Sequence, residues 1–187
     1  MSGDLSGYDD GRRDLRLTIE EHFLEQVEAF NRVLFGNGHR HTVKRADVFT
    51  LRPKGVDLVY LDPPYVPRSD DNCYMKRYHF LEGLSCYWTN LRIMEETKVK
   101  KIEKPYTPFS YRKTALNAFD QLFRLYRESI IVLSYSSNGF PDREEIEELL
   151  RRYKSSVTAY EKPHRYHFGT HEKVVRAEVC EYLLVGR

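Results

Sequence analysis

The chain has 187 residues, of which 41% are hydrophobic and 31% are charged, and its formal net charge at pH 7 is only +2. This composition suits one globular unit and excludes a protein that binds nucleic acid through bulk positive charge. The sequence contains no apolar stretch long enough to span a membrane and no secretory signal, so a cytoplasmic protein is expected.

The first predicted elements are a polar opening segment and a helix. Residues 1–17 are rich in glycine and charge, which predicts a disordered or connecting segment. Thr18 and Glu21 have the spacing of a capping box, and apolar residues then recur at helical spacing. These residues are Phe23, Val27, Phe30 and Leu34. The sequence Phe-Gly-Asn-Gly at 35–38 predicts the end of this helix and a turn.

Two strands are predicted next, and the second leads into an unusual tetrapeptide. Residues 43–49 predict a short strand, and the apolar run at 56–61 predicts a buried one. Asp62-Pro63-Pro64-Tyr65 follows directly. Because proline fixes its own φ and restricts the residue before it, the acid should be held extended at the end of the strand.

The remainder alternates between helices and strands, with a long basic loop in the middle. We predict a helix from His79 through Trp88 with Phe80 and Leu81 in the core, and a helix over 114–127 with Leu116 on its core face. A strand over 129–135 and a helix capped by Asp142 and Glu145 are predicted next. The last predicted elements are an antiparallel pair of strands at about 156–161 and 177–185. The order predicts an α/β fold with a Rossmann-like sheet that ends in an antiparallel hairpin.

The tetrapeptide suits methylation of an exocyclic amine. The N6 amino group of adenine is a poor nucleophile, and acceptors around it favour a more tetrahedral nitrogen. The Asp62 carboxylate and the Pro63 carbonyl could each accept one of its N–H hydrogens. Tyr65 offers a flat face for a base rotated out of the duplex, and such stacking contributes about 1–3 kcal/mol per base.

The sequence Asp-Pro-Pro-Tyr after a hydrophobic strand resembles the signature of the amino-group DNA methyltransferases, in which aspartate at the first position goes mostly with adenine N6. Three stretches resemble the D12 class of DNA adenine methylases, including those of restriction–modification systems. They are the segment that directly follows Tyr65, residues 130–139 and the closing sequence EYLLVG. The resemblance runs from about residue 43 to the end. It implies a class I methyltransferase sheet, a catalytic region over 18–187, S-adenosylmethionine as methyl donor, double-stranded DNA as partner, and no metal.

The resemblance also implies cofactor contacts. Relatives place an acidic residue at the end of the preceding strand, where it accepts from the cofactor's adenine. Asp47 matches that position, with a backbone contact at Val48, and Asp62 would line the same site. For Asp47, a polar residue that caps a turn is the alternative.

A Gly-rich FxGxG loop, which such relatives use to hold the cofactor, is not found. The nearest candidate, residues 35–38, follows a helical pattern and not a strand. We therefore expect an incomplete sheet, and a complementary N-terminal methyltransferase fragment is a candidate partner.

Basic and aromatic residues after the tetrapeptide are candidates for DNA contact, namely Arg68, Tyr74, Lys76, Arg77, Tyr78 and His79. A second basic region, Lys98–Lys104 with Arg112 and Lys113, is interleaved with aromatic residues at 106, 109 and 111. The alternative for this region is a solvated lysine-rich loop.

The sequence offers little evidence for a metal site. His164, His167 and His171 are spaced so that they could meet one zinc ion, but a surface loop or a basic hairpin tip is favoured. Cys73, Cys86 and Cys180 have no CxxC spacing, which argues against a disulfide framework or a cysteine-based zinc site.

The leading hypothesis is therefore a site-specific DNA adenine-N6 methyltransferase. The main alternative is an inactive or split-enzyme fragment that binds DNA or a complementary subunit. A methyltransferase for RNA or a protein amide is a third hypothesis.

Overall fold

A computed structural model describes residues 16–67, 74–96, 98, 100–103, 105–165 and 178–187. The chain divides into two compact units, residues 1–45 and residues 46–187, and each is considered by itself. The predicted catalytic region spans both.

The first unit contains helix α1, Ile19–Val33, whose start is fixed by the predicted capping box. The Thr18 hydroxyl accepts from the Glu21 amide at 3.2 Å, and the Glu21 carboxylate accepts from the Thr18 amide at 2.7 Å. The hydrogen bonds that the Thr18 amide and hydroxyl donate to this carboxylate lower the pKa of Glu21. The predicted turn follows the helix, with Gly38 at φ +75° and the Asn37 side chain accepting from the amide of His39.

The second unit contains three helices and eight strands in its described part. The helices are α2 (Tyr74–Ser85), α3 (Arg112–Leu125) and α4 (Arg143–Arg151). The strands are β1 (Leu58–Leu61), β2 (Val66–Pro67), β3 (Ile93–Met94), β4 (Lys101–Ile102), β5 (Ile130–Ser136), β6 (Gly139–Phe140), β7 (Val157–Arg165) and β8 (Glu178–Gly186). Short 3-10 helices lie at Val48–Thr50 and Pro108–Ser110.

The main sheet has four strands in the order β1-β5-β8-β7. Strands β1 and β5 are parallel, with Leu58 opposite Ile130 and Leu61 opposite Leu133. The other two pairings are antiparallel. The Ser129 hydroxyl donates to the carbonyl of Val56 at 2.6 Å and fixes the starts of the parallel pair. The mixed sheet agrees with the predicted α/β class.

One face of this sheet carries the hydrophobic core. Side chains alternate between the two faces of a strand, and one set packs against α3 and α4. The most deeply buried residues of this core, from both the helices and the strands, are Phe119, Phe123, Ile131, Leu133, Tyr135, Ile146, Leu150 and Leu184. On the other face, apolar side chains are exposed, including Leu58 at 53%, Tyr60 at 59% and Tyr160 at 60%. The sheet therefore has one covered and one open apolar face in the described part.

The predicted strand at 43–49 is wrong. Asp47 instead caps the 3-10 helix, because its side chain accepts from the amide of Phe49 at 2.9 Å. The ring of Phe49 then stacks on that of Phe109 with centroids 5.7 Å apart. The short polar bond and the aromatic contact favour a turn over an extended strand.

The helix predicted from His79 to Trp88 is shifted. Helix α2 begins at Tyr74 and ends at Ser85. Tyr87 and Trp88 follow it at φ +53° and +56°, in a turn closed by a bond from the Trp88 amide to the Gly83 carbonyl. Phe80 and Leu81, predicted in the core, are each 58% exposed.

The predictions for α3 and α4 are largely confirmed. Leu116 is 40% exposed, because the buried stripe of α3 runs through Ala115 and Phe119 instead. Asp142 and Glu145 form the predicted capping box at the start of α4.

Candidate active site

The tetrapeptide lies where the parallel strands end. Because β1 and β5 run in the same direction, their carboxyl ends share one edge of the sheet, the edge at which open α/β folds bind ligands. Asp62 follows β1 directly. Beyond Tyr65, Val66 pairs with Phe140, which belongs to the short strand after β5. Residues 62–65 are thus held between two pairings.

Asp62 is the exposed acid of this edge. Its carboxylate has no hydrogen bond or ion pair with any described residue, so both oxygens are free to accept. Pro63 and Pro64 are half-buried and fix the backbone behind it. An acceptor of this kind, on a rigid segment, suits a ligand with an N–H donor.

Tyr65 is half-buried and packs against the core. Its ring meets that of Tyr135 edge to face, with centroids 5.5 Å apart and planes at 64°. The sequence predicted a strand that ends at Tyr135, but it did not indicate this contact. The available signal was an aromatic residue near the end of the strand parallel to β1.

Asp47 and Val48, the predicted cofactor contacts, lie at the capped 3-10 turn and not at a strand end. The bond to the Phe49 amide uses Oδ1 of Asp47. Oδ2 has no hydrogen bond within the described residues and can still accept from a ligand.

The candidates for DNA contact are only partly described. Arg68 lies outside the described residues, and Tyr74, Lys76 and Arg77 belong to α2 at positions where the backbone alone is described. Tyr78 is 49% exposed and His79 is half-buried on the same helix.

The second basic region is partly neutralised and contains a stacked aromatic pair. Lys100 pairs with Glu95, and Glu103, an acid within the region, pairs with Arg92 outside it at 3.3 Å. Phe109 is buried in the core. The rings of residues 106 and 111, both tyrosine, stack on each other with centroids 5.5 Å apart and remain exposed.

A cleft of about 430 Å³ adjoins β6, the strand that pairs with β2 just after the tetrapeptide. It is lined by Arg112, Gly139, Phe140, Asp142 and Glu145. The guanidinium of Arg112 lies over the ring of Phe140, the residue that pairs with the neighbour of Tyr65. The two carboxylates are held by the capping box of α4. The cation is therefore at the same edge as Asp62.

The end of β5 adds an unused polar group. The hydroxyl of Ser136 is buried and has no hydrogen-bond partner among the residues that the structure describes. Buried polar groups are normally paired, so such an atom requires an explanation.

The described residues contain no cluster of three or more potential metal ligands. Of the three histidines considered for zinc, only His164 is described, and His167 and His171 lie outside the described residues. No helix among the described residues has the length and apolar character needed to cross a membrane.

A mixed α/β sheet that presents an acid, two prolines and a tyrosine at a parallel edge is consistent with a methyltransferase. The family of D12 class N6 adenine-specific DNA methyltransferases matches residues 11–145. The chain belongs to this family.

Individual relatives support the same family. The Type II methyltransferase M2.HphI of Haemophilus parahaemolyticus is 31% identical over 152 residues, which cover 80% of this chain and 41% of that protein. The Type II methyltransferase M.FokI of Planomicrobium okeanokoites is 30% identical over 129 residues, 68% of this chain and 19% of that protein. Modification methylase LlaI of Lactococcus lactis subsp. lactis is 28% identical over 52% of this chain. The chain thus spans less than half the length of these relatives. No solved structure matches the chain.

The family implies S-adenosylmethionine as the methyl donor. The free carboxylate of Asp62 and Oδ2 of Asp47 offer acceptors that fit the amino groups of this cofactor. The residues present therefore fit the part of the cofactor that donates hydrogen bonds. A Gly-rich loop after a strand, which would approach the rest of it, is absent from the sequence.

Proposed function

We propose that this chain carries the target-binding edge of a site-specific DNA adenine-N6 methyltransferase that uses S-adenosylmethionine and serves a restriction–modification system. The supporting observation is Asp62, an exposed carboxylate that has no partner in the described part of the chain and is followed by two prolines at the carboxyl edge of a parallel pair. The proposed fold is a Rossmann-like class I sheet that ends in a hairpin formed by β7 and β8. The proposed location is the cytoplasm, where the enzyme would meet bacterial DNA.

Each residue of the tetrapeptide has a proposed role. The Asp62 carboxylate and the Pro63 carbonyl each accept a hydrogen bond from one N–H of the adenine amino group, which turns the nitrogen lone pair out of the ring plane. Pro64 keeps that carbonyl in place, since proline has little freedom in φ. Tyr65 packs against the base after it leaves the stack.

The proposed cofactor contacts are Asp47, Val48 and Asp62. When bound, S-adenosylmethionine supplies an electrophilic methyl group. The residues of this chain orient the amine that receives it, and no metal ion is required for that task.

The partner of this edge is proposed to be double-stranded DNA. Arg112 brings a positive charge to the edge of Asp62, and phosphate groups are the usual partners of such cations in DNA complexes. Tyr111, the residue before Arg112 in sequence, forms an exposed stack with Tyr106, and such a stack suits an unpaired base. Arg68, Tyr74, Lys76, Arg77, Tyr78 and His79 remain proposed contacts on the segment that follows the tetrapeptide.

Methyl transfer to unmethylated plasmid DNA tests the proposal. The purified chain is incubated with the plasmid and labelled S-adenosylmethionine. The DNA is then digested to nucleosides, which are separated by chromatography and identified by mass spectrometry. The expected product is N6-methyladenine. Product at cytosine, or transfer to RNA or protein in preference to DNA, would contradict it.

A second candidate is a split-enzyme fragment that needs a complementary N-terminal methyltransferase fragment. Strand β1 pairs only with β5 among the described residues, and Leu58 and Tyr60 expose its apolar face. Parallel strands are normally covered on both faces, and an unprotected edge strand can pair with another chain. The complementary fragment would add a strand beside β1 and supply the Gly-rich loop.

Calorimetry with S-adenosylmethionine separates the two candidates. The split-enzyme reading predicts no binding by this chain alone, and binding once a polypeptide with a strand and a Gly-rich loop is added. Micromolar binding by the isolated chain would refute that reading and support autonomous catalysis.

A further inference from the structure

The strand next to the tetrapeptide carries, near its end, a buried tyrosine that contacts Tyr65 directly. Tyr135 is the sixth residue of β5 and is only 2% exposed. Besides its edge contact with Tyr65, its ring meets Phe119 of α3 at 5.7 Å, with the two planes at 90°. Tyr135 therefore connects the half-buried tyrosine of the site to the rigid core.

The hydroxyl of Tyr135 is also fixed. It donates to the carbonyl of Pro141 at 2.6 Å, and Pro141 is itself fully buried. A buried tyrosine normally requires such a partner for its O–H group. The phenol is thus held at its ring and at its hydroxyl.

Gly139 is the residue that permits this arrangement. A Cβ atom built at Gly139 would lie 2.7 Å from both Cζ and Oη of Tyr135, far closer than van der Waals contact. The glycine is therefore required by close approach, since any side chain there would displace the phenol. The following residue, Phe140, pairs with Val66 and so holds the backbone beside Tyr65.

From these contacts we infer that Tyr135, Gly139 and Pro141 form a support that positions Tyr65 to receive the target base. Tyr135 is a positioning residue, because it acts on the base only through Tyr65. The inference rests on the proposed function for the meaning of that position, whereas the support itself is independent of it.

The test uses the full chain labelled with 3-fluorotyrosine and observed by fluorine NMR. The Tyr65 resonance is assigned by its loss in Tyr65→Phe. We expect it to shift or broaden in Tyr135→Leu and in Gly139→Ala, and to stay near the wild-type position in Tyr135→Phe, which keeps the ring edge. The matched control is Tyr126→Leu, which removes another buried tyrosine that has no ring contact with Tyr65.

An unchanged Tyr65 resonance in folded Tyr135→Leu would overturn the inference, and so would an equal change in Tyr126→Leu. Thermal unfolding of each variant establishes that it is folded. If Tyr135→Leu does not fold, Gly139→Ala decides by the same criterion. If neither folds, a nuclear Overhauser effect between the Tyr65 fluorine and the Tyr135 ring is expected in the wild-type chain, and its absence would overturn the inference.

Kinetics then connect the support to the reaction. In Tyr135→Leu we expect KM for DNA to rise about two- to tenfold, as for loss of one aromatic contact, with a smaller change in kcat. Tyr135→Phe should restore most of the affinity. If the wild-type chain transfers no methyl group even with the complementary fragment added, the proposed function fails, whereas the NMR result still decides on the support.

Discussion

The guanidinium of Arg112, the first residue of α3, lies 4.6 Å from the centroid of the Phe140 ring. Phe140 in turn pairs with Val66, the residue that follows Tyr65. The contact orients a cation over the edge that carries Asp62. An arginine held in this way can meet a phosphate without losing much side-chain freedom on binding.

Replacing Arg112 by alanine should therefore weaken DNA binding. Loss of one charged phosphate contact should cost about tenfold in affinity and reduce the slope of log affinity against log salt by about 0.9. Fluorescence anisotropy of a labelled duplex at several salt concentrations measures both. Arg124→Ala is the control, because it removes the same charge from an exposed position near the other end of α3. Equal effects of the two changes would point to bulk charge and against a contact at Arg112.

The exposed tyrosine stack should recognise unpaired bases. Tyr106 is 69% exposed and presents one ring face beyond its stack with Tyr111. Tyr106→Ala should lower the affinity for a duplex with one unpaired adenine by about 1–3 kcal/mol, with a smaller loss for a fully paired duplex. Tyr160→Ala, at a tyrosine of similar exposure on β7, should change neither affinity. The prediction is wrong if both duplexes lose affinity equally in Tyr106→Ala.

The helix after the site should show an acid-sensitive contribution to stability. Although burial alone would raise the pKa of Glu147, hydrogen bonds from Arg143 at 2.7 Å and Arg151 at 2.5 Å hold it below the ordinary value of 4.5. The hydrogen bond that Arg143 donates to Glu147, together with a second one to Glu161, raises the pKa of Arg143. A lowered carboxyl pKa stabilises the folded state above the ordinary pKa, and that contribution is lost as pH falls through the lowered value.

Glu147→Gln should reduce the free energy of unfolding at pH 7 by about 0.5–1 kcal/mol. The difference from wild type should shrink below pH 4.5 and vanish once Glu147 is protonated in both states. Urea unfolding between pH 7 and pH 3 measures it. Glu148→Gln, at an exposed carboxylate 3.9 Å from Arg152, should have little effect at any pH. A difference that persists unchanged at low pH would exclude the ionic explanation.

Local signals in the sequence predicted much of this fold. The capping boxes at Thr18 and Asp142 were confirmed because they depend only on residues three positions apart. The apolar run before Asp62 likewise indicated a strand, although β1 begins two residues later than expected. Such patterns require no knowledge of distant neighbours.

Contacts between distant residues were not predictable in the same way. Phe49 stacks on Phe109, and nothing in the local sequence at 43–49 indicates that pairing. The edge contact of Tyr65 with Tyr135 joins residues 70 positions apart and depends on the register of β1 with β5. The tetrapeptide motif therefore indicates Asp62 as the candidate acid, and only the fold reveals the contacts that support Tyr65.

Asp62 and Asp57 provide the most direct test of the proposed chemistry, since they are exposed aspartates at the two ends of β1: Asp57 precedes the strand and Asp62 follows it. The measurement is the rate of N6-methyladenine formation in DNA by wild type, Asp62→Ala and Asp57→Ala, each in the same active preparation with the complementary fragment present if it is required. Asp62→Ala should lose activity by about a hundredfold or more while its unfolding temperature stays close to that of wild type, because the side chain is exposed. Asp57→Ala should remain active. Undiminished methylation by folded Asp62→Ala would contradict the account.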